Sequence, residues 1–274
     1  MLPRARENPQ SELSSLERKS GGRLGVFSLD TGTGASLSYR ANERFAMCST
    51  FKLIAVAAVL SRVDRGDEDL ERHIAYSRAD ILAYAPVATE HLKDGFMTVG
   101  TCCAAAIEWS DNTAANLLLN TIGGPKGFTS YARSIGDPVT TLDRREPALN
   151  SALPGDPRDT TTPRAMATNM QRLVLGNKLS ATSCAKLAQW LVKSKTGATC
   201  LRAGLPPSWI VGDKTGSGGP NNAFGDSGTR NDVAVVWPKR GAPLVIAAYL
   251  TGSALAAANR DATLATVARI VSAR

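Results

Sequence analysis

Met47-Cys48-Ser49-Thr50-Phe51-Lys52 runs without a break into Leu53-Ile54-Ala55-Val56-Ala57-Ala58-Val59-Leu60. The run is apolar on every face, so as a helix it is buried all round, and its polar start must emerge where the core opens to solvent. Ser49 then sits in the first turn of a core helix. Lys52, three residues on, stacks on the same face, close enough for an amine to take or hold the hydroxyl proton. A serine is a poor nucleophile until something removes that proton. The helix start adds unpaired backbone N–H groups that can stabilise an oxyanion. Ser-x-x-Lys alone is weak, since about one such spacing arises by chance in a chain of this length. The chain also holds a decoy, Ser183-Cys184-Ala185-Lys186. The plain alternative for Ser49 is an N-cap.

Outward from this stretch, 274 residues with 43% hydrophobic content suit one large domain or two interleaved ones. The net charge of +8 is scattered, with no basic run beyond two or three residues. That pattern favours solubility and anionic small molecules and argues against nucleic acid. No stretch reaches the ~18 apolar residues of a membrane helix, and residues 1–20 are polar and charged. The sequence as given therefore carries no secretion signal, and export would require a leader that has been removed. Five cysteines without a C-x-x-C pair and only two histidines, His73 and His91, leave little for a zinc site. Buried free thiols are expected, and no cofactor is implied.

Upstream, residues 11–20 read as a helix stopped by Gly21-Gly22. Residues 23–29 and 35–39 read as a hairpin around Asp30-Thr31-Gly32-Thr33-Gly34. From Ser49 to about Trp190 the pattern is helical, over 99–108, 112–121, 125–134, 163–175 and 180–193, with no strand expected between. The polar, proline-rich stretch from Asp137 to Pro163 is a loop of a length that is usually functional. Strands return at 209–211, 233–237 and 244–250, and a helix over about 254–272 closes the chain. The expected fold is α/β (α+β). One antiparallel sheet of about five strands is built from both chain ends (1–45 and 195–274) with flanking helices, beside an all-helical lobe (46–194). The active site is expected in the groove between the lobes.

Three further constellations carry chemistry. Ser110-Asp111-Asn112 marks a corner between two helices, where the plain alternative is an N-cap. Glu146 and Asn150 in the long loop could together hold one water, and the alternative there is a solvated acid. Lys214-Thr215-Gly216-Ser217 ends a strand whose edge can pair with an extended substrate while the ammonium meets a carboxylate. A second Lys-Thr-Gly, Lys195-Thr196-Gly197, reads instead as a helix C-terminus, with the glycine as a left-handed stop.

Ser-x-x-Lys, Ser-Asp-Asn, Glu-x-x-x-Asn and Lys-Thr-Gly, in that order on those local structures, resemble the class A serine β-lactamases over nearly the whole chain. The resemblance implies hydrolysis of the β-lactam amide of penicillins and cephalosporins, antibiotic resistance, and a periplasmic or secreted monomer that meets mechanism-based inhibitors as well as substrates. It makes Ser49 the acylated nucleophile and Lys52 its proton partner. Ser110 would relay a proton to the leaving nitrogen, and Asn112 would hold the substrate's amide side chain. Glu146 with Asn150 would activate the deacylating water, and the N–H groups of Ser49 and Ser217 would form the oxyanion hole. Lys214, Thr215, Gly216 and Arg230 would hold the carboxylate end, with Tyr84 at the mouth. The loop over about 141–159 is similar to the family's Ω-loop, pinned by Arg144 and Asp159, and Glu146-Pro147 is compatible with the family's cis peptide.

The chain departs from common members in a long turn over 217–228. It also has Gly218 where carbapenem-hydrolysing relatives place a disulfide partner for Cys48. The rival readings are a penicillin-binding DD-peptidase and a β-lactam sensor domain, both of which stay acylated. Glu146 and Asn150 argue against the first, and the lack of a membrane segment or output domain argues against the second.

Overall fold

The computed structural model describes residues 8–218 and 228–273. The turn expected over 217–228 thus lies mostly outside the described residues. In chain order the elements are α1 (Pro9–Ser20), β1 (Arg23–Asp30), β2 (Ser36–Tyr39), β3 (Phe45–Ala46), α2 (Lys52–Asp64), β4 (His73–Ala75), α3 (Pro86–Glu90), β5 (Phe96–Thr98), α4 (Val99–Glu108), α5 (Asn112–Thr121) and α6 (Gly124–Ser134). After the long loop come β6 (Thr160–Thr161), α7 (Pro163–Met170), α8 (Ala181–Val192), α9 (Leu201–Gly204), β7 (Ile210–Gly218), β8 (Thr229–Trp237), β9 (Leu244–Thr251) and α10 (Ala257–Ser272).

The five long strands form one antiparallel sheet in the order β2-β1-β9-β8-β7. Its middle strand β9 is apolar at nearly every position because both faces are covered. Side chains alternate across a strand, and on β9 the odd positions Val245, Ala247 and Tyr249 join one core while Ile246, Ala248 and Leu250 join the other. The second core is filled by α1 and α10 through Leu13, Leu264 and Val267. The first continues into the helical part, where α2 runs through the middle. Residues 52–60 of α2 are all buried, so truncating Ile54 or Leu60 to alanine would open a cavity costing about 2–5 kcal/mol.

Local chemistry sets the ends of these elements. Asn8 caps α1 by accepting from the Gln10 N–H, and Gly21 ends it in the left-handed region at φ 64°. Thr98, Asp111, Thr162 and Ser180 cap α4, α5, α7 and α8 in the same way.

The strand-free middle expected from the sequence is corrected. β4 pairs with β5, and β3 pairs with β6. At two or three residues these strands are too short to show a period of two, and their partners lie between about 20 and more than 100 residues away along the chain. The helix expected over 163–175 holds its α geometry only to Met170 and widens to a π turn over Gln171–Leu175. The last helix starts at Ala257, three residues later than expected.

Candidate active site

Ser49 lies in a 3₁₀ turn, Cys48–Phe51, that feeds directly into α2. In that geometry residues three apart eclipse one another, which places Lys52 over Ser49 more closely than an α turn would. Lys52 Nζ donates to Ser49 Oγ at 2.9 Å. The turn ends against the edge strand β7. A Cβ on Gly216 would fall 2.7 Å from the Met47 carbonyl oxygen and 3.2 Å from the Ser49 nitrogen, so only glycine lets the strand approach the nucleophile this closely.

Lys52 is the hub of the site. It is fully buried, and its ammonium reaches Ser110 O at 2.8 Å, Ser110 Oγ at 3.4 Å, Asn112 Oδ1 at 2.6 Å and Glu146 Oε1 at 3.0 Å. Burial nonetheless pulls its pKa below the usual lysine value, outweighing the attraction of Glu146. Ser49 Oγ in turn donates to Glu146 Oε1 at 3.2 Å. Asn150 Nδ2 donates to the other carboxylate oxygen, Oε2, at 2.5 Å. Hydroxyl, amine and carboxylate thus form a closed triangle, with Asn150 fixing the carboxylate's rotation.

The Ser110 corner is built by Asp111. One of its oxygens caps α5 at Ala114 N–H, and the other accepts from the N–H groups of Val87 and Ala88. Ser110 is held at φ 58°, a left-handed conformation that costs a non-glycine residue of order 1–3 kcal/mol and aims its hydroxyl inward. Lys214 Nζ donates to that hydroxyl at 3.0 Å. Lys214 is fully buried, and burial, together with the nearby Lys52, lowers its pKa to about 7. Tyr84 is 50% exposed at this corner, its backbone oxygen accepting from Asn112 N–H at 3.0 Å.

The loop carrying Glu146 is clamped at both ends. Asp159 accepts from the N–H groups of Asp143 and Arg144, and pairs with Arg144 Nε at 2.5 Å, as expected for the pinning pair. Glu146-Pro147 is cis. Sequence reasoning missed Asn116, whose side chain donates to Glu146 O at 2.9 Å and accepts from Glu146 N–H at 3.1 Å. The signal was available: Asn116 is four residues from Asn112 on the same helix, hence on the same face.

Two details on the β7 side go beyond the sequence reading. Arg230, expected to help hold the carboxylate end, is anchored on several partners there. It lies opposite Ser217 in register, and alternation along β8 puts it on the α10 face with Asp232, Ala234 and Val236. From there its Nε pairs with Asp261 Oδ1 at 2.6 Å and its Nη1 donates to Ser217 Oγ at 2.7 Å. Its Nη2 donates to Thr196 O at 3.2 Å and to Cys200 Sγ at 3.0 Å. Second, Gly197 is not a left-handed helix stop. α8 ends at Val192, and Thr196 instead reaches across to Thr215, Oγ1 to Oγ1, at 2.6 Å.

The decoy stays a decoy. Ser183 Oγ donates to Asp64 Oδ1, while Lys186 lies over the ring of Trp190. All five cysteines are free thiols, and Cys48, fully buried, is held at φ 45° beside the nucleophile. No helix among the described residues is long and apolar enough to cross a membrane.

Residues 8–274 match the model of the β-lactamase enzyme family. The chain is 50% identical over 262 residues to β-lactamase CTX-M-25 from Escherichia coli, covering 96% of this chain and 87% of that one. It is 47% identical to β-lactamase OXY-1 from Klebsiella oxytoca, with the same coverage. Among solved structures, the ancestral class A β-lactamase GNCA superposes with a TM-score of 0.92 at 55% identity, over 96% of this chain and 98% of that one. Four motifs brought to one buried site, a fold shared to that degree and half of all residues in common leave one assignment: this chain belongs to the β-lactamase enzyme family, in its class A.

Proposed function

We propose that this protein hydrolyses the β-lactam amide of penicillins and cephalosporins through an acyl-enzyme on Ser49, and so confers resistance to these antibiotics. The observation that carries the proposal is the contact of Ser49 Oγ with both Lys52 Nζ and Glu146 Oε1. Those two groups lie 3.0 Å apart, so the hydroxyl proton leaves to a lysine and carboxylate pair that already shares a hydrogen bond. Ser49 Oγ bonds to the lactam carbonyl carbon, and the carbonyl oxygen takes the developing charge. The N–H groups of Ser49 and Ser217 are the oxyanion donors, one at the start of a 3₁₀ turn and the other on the adjoining strand. As the ring C–N bond breaks, the nitrogen takes the Ser110 proton, which Lys214 and Lys52 replenish across contacts of 3.0 and 3.4 Å.

Deacylation falls to Glu146. Its carboxylate, steadied by Asn150, takes a proton from water as that water attacks the ester, and Ser49 Oγ recovers a proton as it leaves. Asn112 holds the acylamino side chain, Lys214 and Thr215 the carboxylate, and Tyr84 flanks the entrance. The sheet with its helices (1–45 and 195–274) and the helical part (46–194) are read as the two lobes that flank this groove. The protein acts as an exported monomer whose partners are β-lactams and mechanism-based inhibitors. A DD-peptidase or a sensor would lack a carboxylate poised for water, and the Glu146 and Asn150 pair speaks against both. Mass spectrometry of the protein mixed with penicillin should find a transient adduct that decays to free enzyme. A persistent adduct would overturn the proposal in favour of one of those rivals.

A further inference from the structure

Lys195-Thr196-Gly197, like the decoy at Ser183, is a motif of the sequence that the proposed reaction leaves unused. It lies in the segment after α8 and is tied to elements on both sides of the site. Lys195 N–H donates to Glu108 O at 2.8 Å, at the end of α4 and two residues before Ser110. Ser194 Oγ donates to Asp213 Oδ2 at 3.2 Å, beside Lys214 on β7. Gly197 packs so tightly on Asp213 that a Cβ would fall 1.7 Å from Oδ2. Between these anchors Thr196 presents two groups to the strands β7 and β8. Its carbonyl oxygen accepts from Arg230 Nη2, and its hydroxyl lies 2.6 Å from that of Thr215.

A threonine hydroxyl has one proton to donate and two lone-pair sites, whereas a carboxylate only accepts. Once Thr215 donates to a substrate carboxylate its single proton is used. The contact with Thr196 then persists only with Thr196 as the donor. Substrate binding therefore selects one arrangement of the pair, a chain running from Thr196 through Thr215 to the carboxylate. Such a chain polarises along its length and holds the middle rotor in place. Without the outer hydroxyl, Thr215 must be ordered by the substrate alone.

We propose that Thr196 is a positioning residue for carboxylate recognition, its hydroxyl orienting and polarising that of Thr215. The inference rests on the reading of Lys214 and Thr215 as the carboxylate site. It separates the two roles of Thr196, because the carbonyl that serves Arg230 survives any change of side chain.

The test compares a penicillin bearing its free carboxylate with the methyl ester of the same penicillin, by the ratio of their kcat/KM values, in Thr196→Val, Thr196→Ala, Thr196→Ser and Thr215→Val. Valine keeps the shape and removes the donor, and alanine serves as a second deletion should the β-branched variant fold poorly. Loss of one neutral hydrogen bond should lower the ratio about fivefold in both deletions, chiefly through the KM of the carboxylate substrate, with serine restoring most of it. A residue that merely holds its segment in place would weaken turnover of both substrates alike and leave the ratio where it was. A ratio unchanged in Thr196→Val and Thr196→Ala but lowered in Thr215→Val overturns the role of Thr196 and leaves the carboxylate site standing. A ratio unchanged in Thr215→Val as well overturns both.

Discussion

Replacing Glu146 by glutamine removes one charge at the centre of the site while conserving shape. In the native protein the carboxylate accepts from Ser49, Lys52 and Asn150 at once. The amide has a single acceptor oxygen and cannot serve both sides at once, and in one orientation Asn150 Nδ2 donates to it. Its NH₂ group then faces Lys52 and Ser49 with a donor where an acceptor stood. Lys52, already drawn toward the neutral amine by burial, loses the carboxylate that most favoured its ammonium, with Asp111 left as the weaker one. A neutral amine 2.9 Å from Ser49 Oγ can still take the hydroxyl proton, so acylation persists. Deacylation does not, because an amide cannot take a proton from water. Removing a positioned general base typically costs 10²- to 10⁴-fold in rate, or about 3–5 kcal/mol of barrier. Glu146→Gln mixed with penicillin should therefore gain the full mass of the drug, since ring opening loses no atoms, and hold it while the native enzyme clears it. Glu146→Ala should trap the same adduct. Intact-mass spectrometry and stopped-flow turnover read both quantities. Steady-state turnover undiminished in either variant, or no adduct at all, would refute the assignment of Glu146 to the water.

Arg230→Ala should raise the KM for penicillins by about one to two orders of magnitude, the value of one charge-assisted hydrogen bond at roughly 1.5–3 kcal/mol, through release of Ser217 and the Thr196 carbonyl. Arg230→Lys should recover only part of it, because an ammonium cannot reproduce the fork. KM and kcat unchanged across several penicillins would place the residue outside recognition. Lys214, with its pKa lowered to about 7, loses its ammonium as pH rises through neutrality. Hence kcat/KM for a carboxylate substrate should fall on the alkaline side with a midpoint near that value. Lys214→Arg, which stays charged, should flatten the fall, and an identical profile in the two proteins would separate the alkaline limb from Lys214. Cys48 is a free thiol, so penicillins and cephalosporins should be turned over with little carbapenem hydrolysis. Rapid, repeated turnover of imipenem by the purified protein would contradict this.

The sheet was legible chiefly because β9 and the second half of β8 are apolar on both faces, and α2 because it is apolar all round. Their burial is a property of composition and period, which neighbours along the chain already express. The proposed catalytic residues were legible for a related reason. Ser49 and Lys52 are three apart, Glu146 and Asn150 four apart, and each pair is brought together by one turn of local backbone. Short strands such as β4 and β5 were not legible, because a ladder of three residues carries too little pattern to set against the helices around it.

The sequence by itself determined that Ser49, Lys52, Ser110, Glu146 and Lys214 are chemically able to form one site. Only the tertiary structure decided how they share protons, because Lys52 meets Ser110, Asn112 and Glu146 across about 60 and 94 residues of chain, and burial sets the charge of both lysines. It also decided the partners of Arg230 and Thr196. The sequence places Arg230 near the carboxylate end of the site and Thr196 in a helix ending. Packing of α10 against β8 supplies Asp261 to the first, and the approach of residues 194–197 to β7 supplies Thr215 to the second. Both contacts depend on where two surfaces meet, which no local spacing encodes.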